Sequence, residues 1–346
     1  MVRRDSKRTA SDPAAAAARP RAGFAGRAVL VTGGLGFIGS NLALRLRELG
    51  ARVTIVDALI PQHGGDLRNL GRHAGDFRIE NVDLRQGAPV RALVREQELI
   101  FHVAGQVSHG DSMRDPELDL GMNCISTLNL VEACRHENPQ AILVFTSTRQ
   151  VYGRPRRLPV REDDPVDPVD TNGINKLAAE YYHILYHRTY DVRSVVLRLT
   201  NTYGPRQQLR NERQGVTSVL LWQALQGQRI RLFGNGEQRR DFNHVDDVVD
   251  AMLAVALQPA CHGRVLNLGA VRPYSLNEFT TTLREYCRFD VEHVPFPDDR
   301  KLIDIGDYYG DWSALHAATG WTPRIDLDEG LRRTVEFFRS HAAVYL

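Results

Sequence analysis

Residues Arg27 to Gly39 read Arg-Ala-Val-Leu-Val-Thr-Gly-Gly-Leu-Gly-Phe-Ile-Gly. The apolar run Ala28 to Val31 has strand character and stops at a glycine cluster. A helical pattern follows, with Ile38, Leu42, Leu44, Leu46 and Leu49 apolar and Arg45, Arg47 and Glu48 polar. Strand, tight glycine turn and helix open a dinucleotide-binding βαβ unit. Gly33, Gly36 and Gly39 are spaced G-x-x-G-x-x-G. Glycines there permit the turn and let the backbone approach a pyrophosphate resting on the helix N-terminus, with Phe37 and Ile38 in its first turn. A glycine triplet alone also fits an ordinary turn. Arg52 to Val56 reads as the second strand, and Asp57 closes it. A carboxylate there accepts ribose hydroxyls and repels a 2′-phosphate, which favours NAD over NADP; the bland alternative is a strand-end cap.

Working outward, strands and helices alternate, which predicts an α/β fold: a Rossmann-type, doubly wound parallel sheet with a smaller α/β lobe. A polar loop is expected over Pro61 to Gly75, and strands at Phe77 to Val82, Leu99 to Val103, Ala141 to Phe145, Asp191 to Arg198 and Val265 to Leu268. Helices are expected at Ala88 to Glu96, Pro116 to His136, Gln214 to Gln226, Val245 to Leu257 and Leu331 to Ser340. Ligands collect at the carboxyl ends of parallel strands. Asp57, Asp83, Ala104 and Thr148 occupy such ends and should meet in one crevice. The organisation expected is a basic tail at 1–25, an NAD-binding domain from 26–200 plus 241–270, and a substrate lobe from 201–240 plus 271–346.

At 346 residues, with 42% hydrophobic and 25% charged positions, the chain has the make-up of a soluble enzyme with a well-buried core. A net charge of +2 gives no reason to expect nucleic acid or an acidic membrane as partner. No apolar run approaches the roughly 18 residues of a membrane span. Cys124, Cys134, Cys261 and Cys287 are scattered, without ligand spacing, and read as reduced thiols of a cytoplasmic protein with no metal site.

Eight strings, in order, carry a resemblance. They are Thr32 to Gly39; Asp83-Leu84; Phe101-His102-Val103-Ala104-Gly105-Gln106; Asn123; Thr146-Ser147-Thr148 with Val151-Tyr152-Gly153; Arg198 to Arg206; Gly234 to Phe242 with His244 to Asp247; and Gly320 to Pro323. Over roughly Arg27 to Phe338 the chain resembles the extended short-chain dehydrogenase/reductase family. Within it, the likeness is to the NAD-dependent nucleotide-sugar epimerases and dehydratases, of the UDP-glucose 4-epimerase kind. The resemblance implies that Asp83 and Leu84 flank the adenine. Val103, Ala104, Gly105 and Thr146 line the path to the nicotinamide, and Asn123 supports the catalytic helix. It makes Thr148 the hydroxyl that bonds the reacting sugar oxygen. Asn201, Arg240 and Arg300 would hold the nucleotide diphosphate, a task suited to guanidinium forks. It also implies a homodimer through the helices near 116–136 and 171–189.

One motif departs from the family. The Y-x-x-x-K pair reads Asn172-Gly-Ile-Asn-Lys176, so the tyrosine is replaced by an amide that exchanges hydrogen bonds but is no base. Lys176 is one of only three lysines in a chain that otherwise uses arginine, so it is expected in the cofactor site rather than as a generic charge. Arg149 and Gln150 stand where dehydratases of the family carry Asp-Glu, which weighs against dehydration and decarboxylation. Arg149 either binds a carboxylate or keto oxygen of the sugar or forms an outward salt bridge. His109, Asp111, Tyr203 and Tyr152 are stand-in bases to be sorted by structure, Tyr152 more as a packing residue. The function expected is epimerisation of a nucleotide sugar through a transient keto sugar. The alternatives are a dehydratase or decarboxylase of the same family, or an NAD-retaining nucleotide-sugar-binding protein without turnover.

Overall fold

The glycine-turn unit forms as read: β1 (Ala28–Thr32) leads through the turn into α1 (Phe37–Glu48) and then β2 (Arg52–Val56). The computed structural model describes residues 23–210 and 215–346, apart from the side chains of 299 and 300. The basic tail therefore lies outside the described residues but for its last three positions. β3 (Arg78–Glu80), β4 (Leu99–His102), β5 (Ile142–Thr148) and β6 (Arg193–Leu199) complete most of a seven-stranded parallel sheet. Its order runs Val265–Asn267, β6, β5, β4, β1, β2, β3. The order reverses between β1 and β4, where Thr32 pairs with His102, and this switch point opens a crevice at the strand ends.

Both sheet faces are covered, as near-continuous apolar strands require. One face packs Val29, Val31, Leu42, Leu46 and Val53 with Val248 and Met252 of helix Val245–Ala256. The other packs Leu30, Ile100 and Leu143 with Val90, Leu130 and Val131. Each such side chain contributes about 1.5–3 kcal/mol when fully buried. A separate core gathers Leu221, Ile230, Phe242, Phe279, Leu331 and Phe338. Around it, Ile230–Phe233 pairs in parallel with Val291–Val294, and Phe242–His244 with Asn201–Tyr203. Residues 313–321, assigned above to the lobe, pack instead on the sheet's core through Leu315 and Trp321, whose indole donates to the Asp247 carbonyl at 3.1 Å.

Several boundaries differ from expectation. Asp66 caps a short helical segment, Leu67–Asp76, inside the stretch read as loop. β5 continues to Thr148 because its last residues pair with Leu197 to Leu199. The helix expected over Pro116 to His136 is broken by a π turn, Gly121–Ile125, in which Asn123 is buried; the Ser126 and Thr127 hydroxyls bond back to the Met122 and Asn123 carbonyls. The last long helix starts earlier, at Leu327, because Asp326 caps it. Helices His109–Arg114, Leu276–Arg284 and Ser313–Thr319 have no counterpart in the sequence reading.

Candidate active site

A single cleft of about 1330 Å³ runs along the strand ends into the second core's flank. The sequence-selected residues Gly33, Gly36, Phe37, Ile38, Gly39 and Asp57 line one end. Asp83, Leu84, Val103, Ala104, Gly105 and Thr146 follow, then Thr148, Arg149, Asn172 and Lys176, and finally Asn201 and Arg240. Asn123 does not line the cleft; it is buried behind the wall. The side chain of Arg300 lies outside the described residues.

The glycines are required by close approach. Gly33 has φ of +66°, and a Cβ there would lie 2.8 Å from the Ala104 backbone. A Cβ on Gly39 would stand 2.1 Å from the Gly33 carbonyl oxygen. Gly36 caps α1 without a side-chain hydrogen bond, so the helix's first amides face the cleft for an anion. Asp57 sits at the end of β2 and accepts from the Leu35 and Leu59 amides at 3.1 and 2.9 Å; burial raises its carboxyl against those bonds. Thr32 fixes the β4 end by accepting from the Val103 and Ala104 amides, both at 3.2 Å. An uncapped helix N-terminus, a turn with no room for side chains and a carboxylate at the β2 end fit a dinucleotide such as NAD. Asp83 is held by Arg85, which keeps its carboxyl below the usual range.

The chemical end centres on helix Thr171–Tyr190. Lys176 Nζ donates to the Thr146 carbonyl at 3.1 Å and lies over the Phe145 ring. Burial pushes its ammonium down to about 8, opposed by Asp119 and Glu180. Thr148 accepts from the Gln150 amide at 3.2 Å, which leaves its own O–H free to donate. Asn172, 2% exposed, donates from Nδ2 to the Gln106 carbonyl at 2.9 Å and lies 3.2 Å from Asp119 Oδ2. The same Gln106 carbonyl accepts from Asn123 at 3.1 Å. Asn123 thus reaches the site through this shared carbonyl and by backing Gly105, where a Cβ would lie 2.5 Å from its Oδ1.

Arg149 makes one side-chain hydrogen bond, to Gln150 Oε1 at 3.3 Å, and lies over the Tyr308 ring. Burial and the Arg240 charge push its guanidinium down to about 10. No outward salt bridge forms at Arg149 among the described residues. Arg240 donates to the Gly306 and Arg239 carbonyls and to Gln238 Oε1, with Asp304 at 3.5 Å. Asn201 Oδ1 is buried without a protein partner. Behind β5, Ser147 donates to Glu180 at 2.5 Å, and Arg198 grips the same carboxylate at 2.6 Å.

Sequence reasoning quoted Gln106 in a family string without giving it a role, and missed Asp119, Asp170 and Glu180. Only the Asp170-Thr171 step before the helix, a ready N-cap, signalled any of them.

The fold and this cleft define a dinucleotide-dependent α/β enzyme of the Rossmann type. The family model for the NAD dependent epimerase/dehydratase family matches residues 29–269, and the chain belongs to that family. It is 34% identical to UDP-glucose 4-epimerase of Mycolicibacterium smegmatis, over 90% of this chain and 98% of that protein. It is 32% identical to UDP-glucuronic acid decarboxylase 1 of Xenopus tropicalis, over 90% of this chain and 72% of that protein. Among solved structures, the UDP-glucose 4-epimerase of Thermotoga maritima with UDP-glucose superposes with a TM-score of 0.82 at 32% identity, covering 91% of this chain and 99% of that one. The cofactor is NAD, as the family's description states.

Proposed function

We propose that the protein is a nucleotide-sugar epimerase that oxidises one sugar hydroxyl to a transient keto sugar and returns the hydrogen to the opposite face. The observation that carries this is the continuity of the cleft: the glycine turn, Thr148 with Lys176, and Asn201 with Arg240 share one wall-lined space. Bound NAD supplies the two-electron acceptor. The chain's part is to hold and polarise. Lys176, fixed on the Thr146 carbonyl, hydrogen-bonds the nicotinamide ribose, and Asp57 accepts from the adenosine ribose. The Thr148 hydroxyl donates to the reacting sugar oxygen. Arg149 and Arg240 face the diphosphate or an acidic sugar substituent, and Arg300 is proposed beside them from the sequence. Arg149 and Gln150 offer no acid/base pair for loss of water or CO2. The hydrogen-bonded state of Asn172 favours one second reading, a nucleotide-sugar-binding protein that retains NAD without turnover.

The test is a panel of UDP-, dTDP-, GDP- and CDP-sugars incubated with purified protein. Products are read by NMR, and absorbance is followed in the reduced-nicotinamide band. An epimeric sugar without net cofactor reduction is expected; tight binding with no product from any sugar replaces this reading with the second one.

We also propose a homodimer. Leu120, Ile125, Ile174, Tyr181 and Leu185 are 40–61% exposed on the Pro116–Glu137 and Thr171–Tyr190 segments, an apolar face suited to four-helix pairing. Four unpaired, buried cysteines support a cytoplasmic location. No helix among the described residues is long and apolar enough to cross a membrane. The two hydrophobic cores support the domain division 26–200 plus 241–270 and 201–240 plus 271–346, with residues 313–321 moved to the first.

A further inference from the structure

An epimerase needs a group to take the sugar hydroxyl's proton, and Asn172 is no such group: its amide is not basic and its Nδ2 is committed to Gln106 and Asp119. The sequence left four stand-ins. Tyr152 donates its hydroxyl to Asn267 Oδ1 at 2.8 Å, beneath Arg198 and outside the cleft. Tyr203 is fully buried against helix Leu327–Ser340, where a Cβ on Gly330 would come 2.0 Å from its hydroxyl. Burial raises both phenols, Tyr152 to about 12. Asp111 reaches the cleft, but its Oδ1 is engaged as acceptor from Arg114 at 3.2 Å.

His109 differs from these. It lines the cleft at the start of helix His109–Arg114, about one-third exposed, and its Nδ1 lies 2.9 Å from Asp170 Oδ2. Asp170 is buried and cannot swing. Its Oδ1 caps the active-site helix by accepting from the Gly173 amide at 2.7 Å, and its Oδ2 accepts from Gln150 Nε2 at 2.8 Å. Gln150 is two residues beyond Thr148, and Asp170 is two before Asn172. The carboxylate therefore ties the imidazole to both positions of the disrupted motif. The 2.9 Å approach is an ion-pair contact in which Nδ1 is not yet aligned as a donor; a small turn of the ring lets Nδ1 donate to Asp170 and leaves Nε2 as the acceptor.

Resting on the epimerase reading above, the geometry points to His109, oriented by Asp170, as the base that replaces the absent tyrosine. As the carbonyl forms, the sugar O–H bond breaks and its proton passes to His109 Nε2. The hydrogen on the same carbon leaves with its electron pair for the nicotinamide of NAD. Once the keto sugar has turned its other face to the hydride donor, both return in the reverse order, so that carbon is inverted with no net redox change.

The test uses NAD-loaded, full-length protein and the sugar turned over by the wild type. H109A is expected to lose about 100-fold or more in kcat with unchanged NAD content, and added imidazole should restore about tenfold or more. D170N, which keeps a good helix cap, should lower kcat about tenfold with KM little changed. Should H109A lose its NAD, H109Q is read for kcat in its place. A kcat within about threefold of wild type, or a loss that imidazole does not restore while NAD content and Tm are unchanged, overturns the assignment of His109. A wild type that converts no nucleotide sugar overturns the epimerase reading itself, and His109 as its base falls with it.

Discussion

Asn172 and Asn175 hold the two oxygens of one buried carboxylate, Asp119, at 3.2 and 2.8 Å. Three residues apart, the two amides share a helix face and pin the Pro116–Leu120 turn to the active-site helix. The amide at 172 is thus part of the frame around the lysine one turn on. Asn172→Asp would set a second carboxylate against Asp119 and turn an acceptor on the Gln106 carbonyl. A loss on the order of 3–5 kcal/mol is expected, read as a lower denaturant midpoint. Asn172→Tyr gives up the same buried donor, for about 1–3 kcal/mol and no gain in kcat. A stable, faster N172Y protein would show that the asparagine is only a degraded base.

Lys176→Met should release NAD without unfolding the chain. The Nζ lies 3.0 Å from where a Gly105 Cβ would be, so the ammonium sits against the cofactor path. Its buried charge also has a pH signature. The folded lysine titrates near 8 and the unfolded one near 10.5. Between those values the unfolded chain holds a proton that the folded chain has lost. Stability therefore rises with pH through that window, by on the order of 3 kcal/mol. Denaturation midpoints from pH 8 to 10 should climb more steeply for wild type than for K176M; equal slopes would mean that the lysine is not desolvated.

Gly39→Ala tests the cradle. Its methyl would meet the Gly33 carbonyl oxygen at 2.1 Å, closer than any backbone contact allows, so the turn must open. NAD retention should fall by about tenfold or more, with a stability loss of about 1–3 kcal/mol. Cofactor content after gel filtration reads the first and thermal melting the second.

This turn was legible in advance because its cause is local: only glycine fits at Gly33 and Gly39, and the flanking apolar periods define strand and helix. The strand-end residues Asp57, Ala104 and Thr148 were legible for the same reason, since parallel topology sends carboxyl ends to one crevice. The Asn172–Asp119 contact was not. In sequence, Asp119 resembles any first-turn acid on a solvated helix; only the packing of two helices 53 residues apart, with a π turn between, buries it. His109 was legible as one of four stand-in bases but not as the favoured one, because only the fold brings its imidazole to within 2.9 Å of Asp170.

Asp241 gives the opposite pH dependence from Lys176. Burial pushes its carboxyl up to about 7, although the Gly310 and Ala270 amides and the Arg149 charge pull it down. In the unfolded chain it titrates near 3.8. Between those values the folded protein holds a proton that the unfolded chain has released. Its stabilisation is complete below pH 4 and is lost as pH rises through 7, by up to roughly 4 kcal/mol. Asp241→Asn keeps an oxygen able to accept from the Gly310 amide, now donated at 2.7 Å, but removes the titration. D241N should therefore be the less pH-sensitive protein, gaining on wild type between pH 5 and pH 8 in paired urea melts. Because the ionised carboxylate would help neutralise Arg149, the same substitution should also tighten binding of an acidic nucleotide sugar at pH 8. A wild-type-minus-variant difference that stays flat with pH would mean that Asp241 is charged throughout.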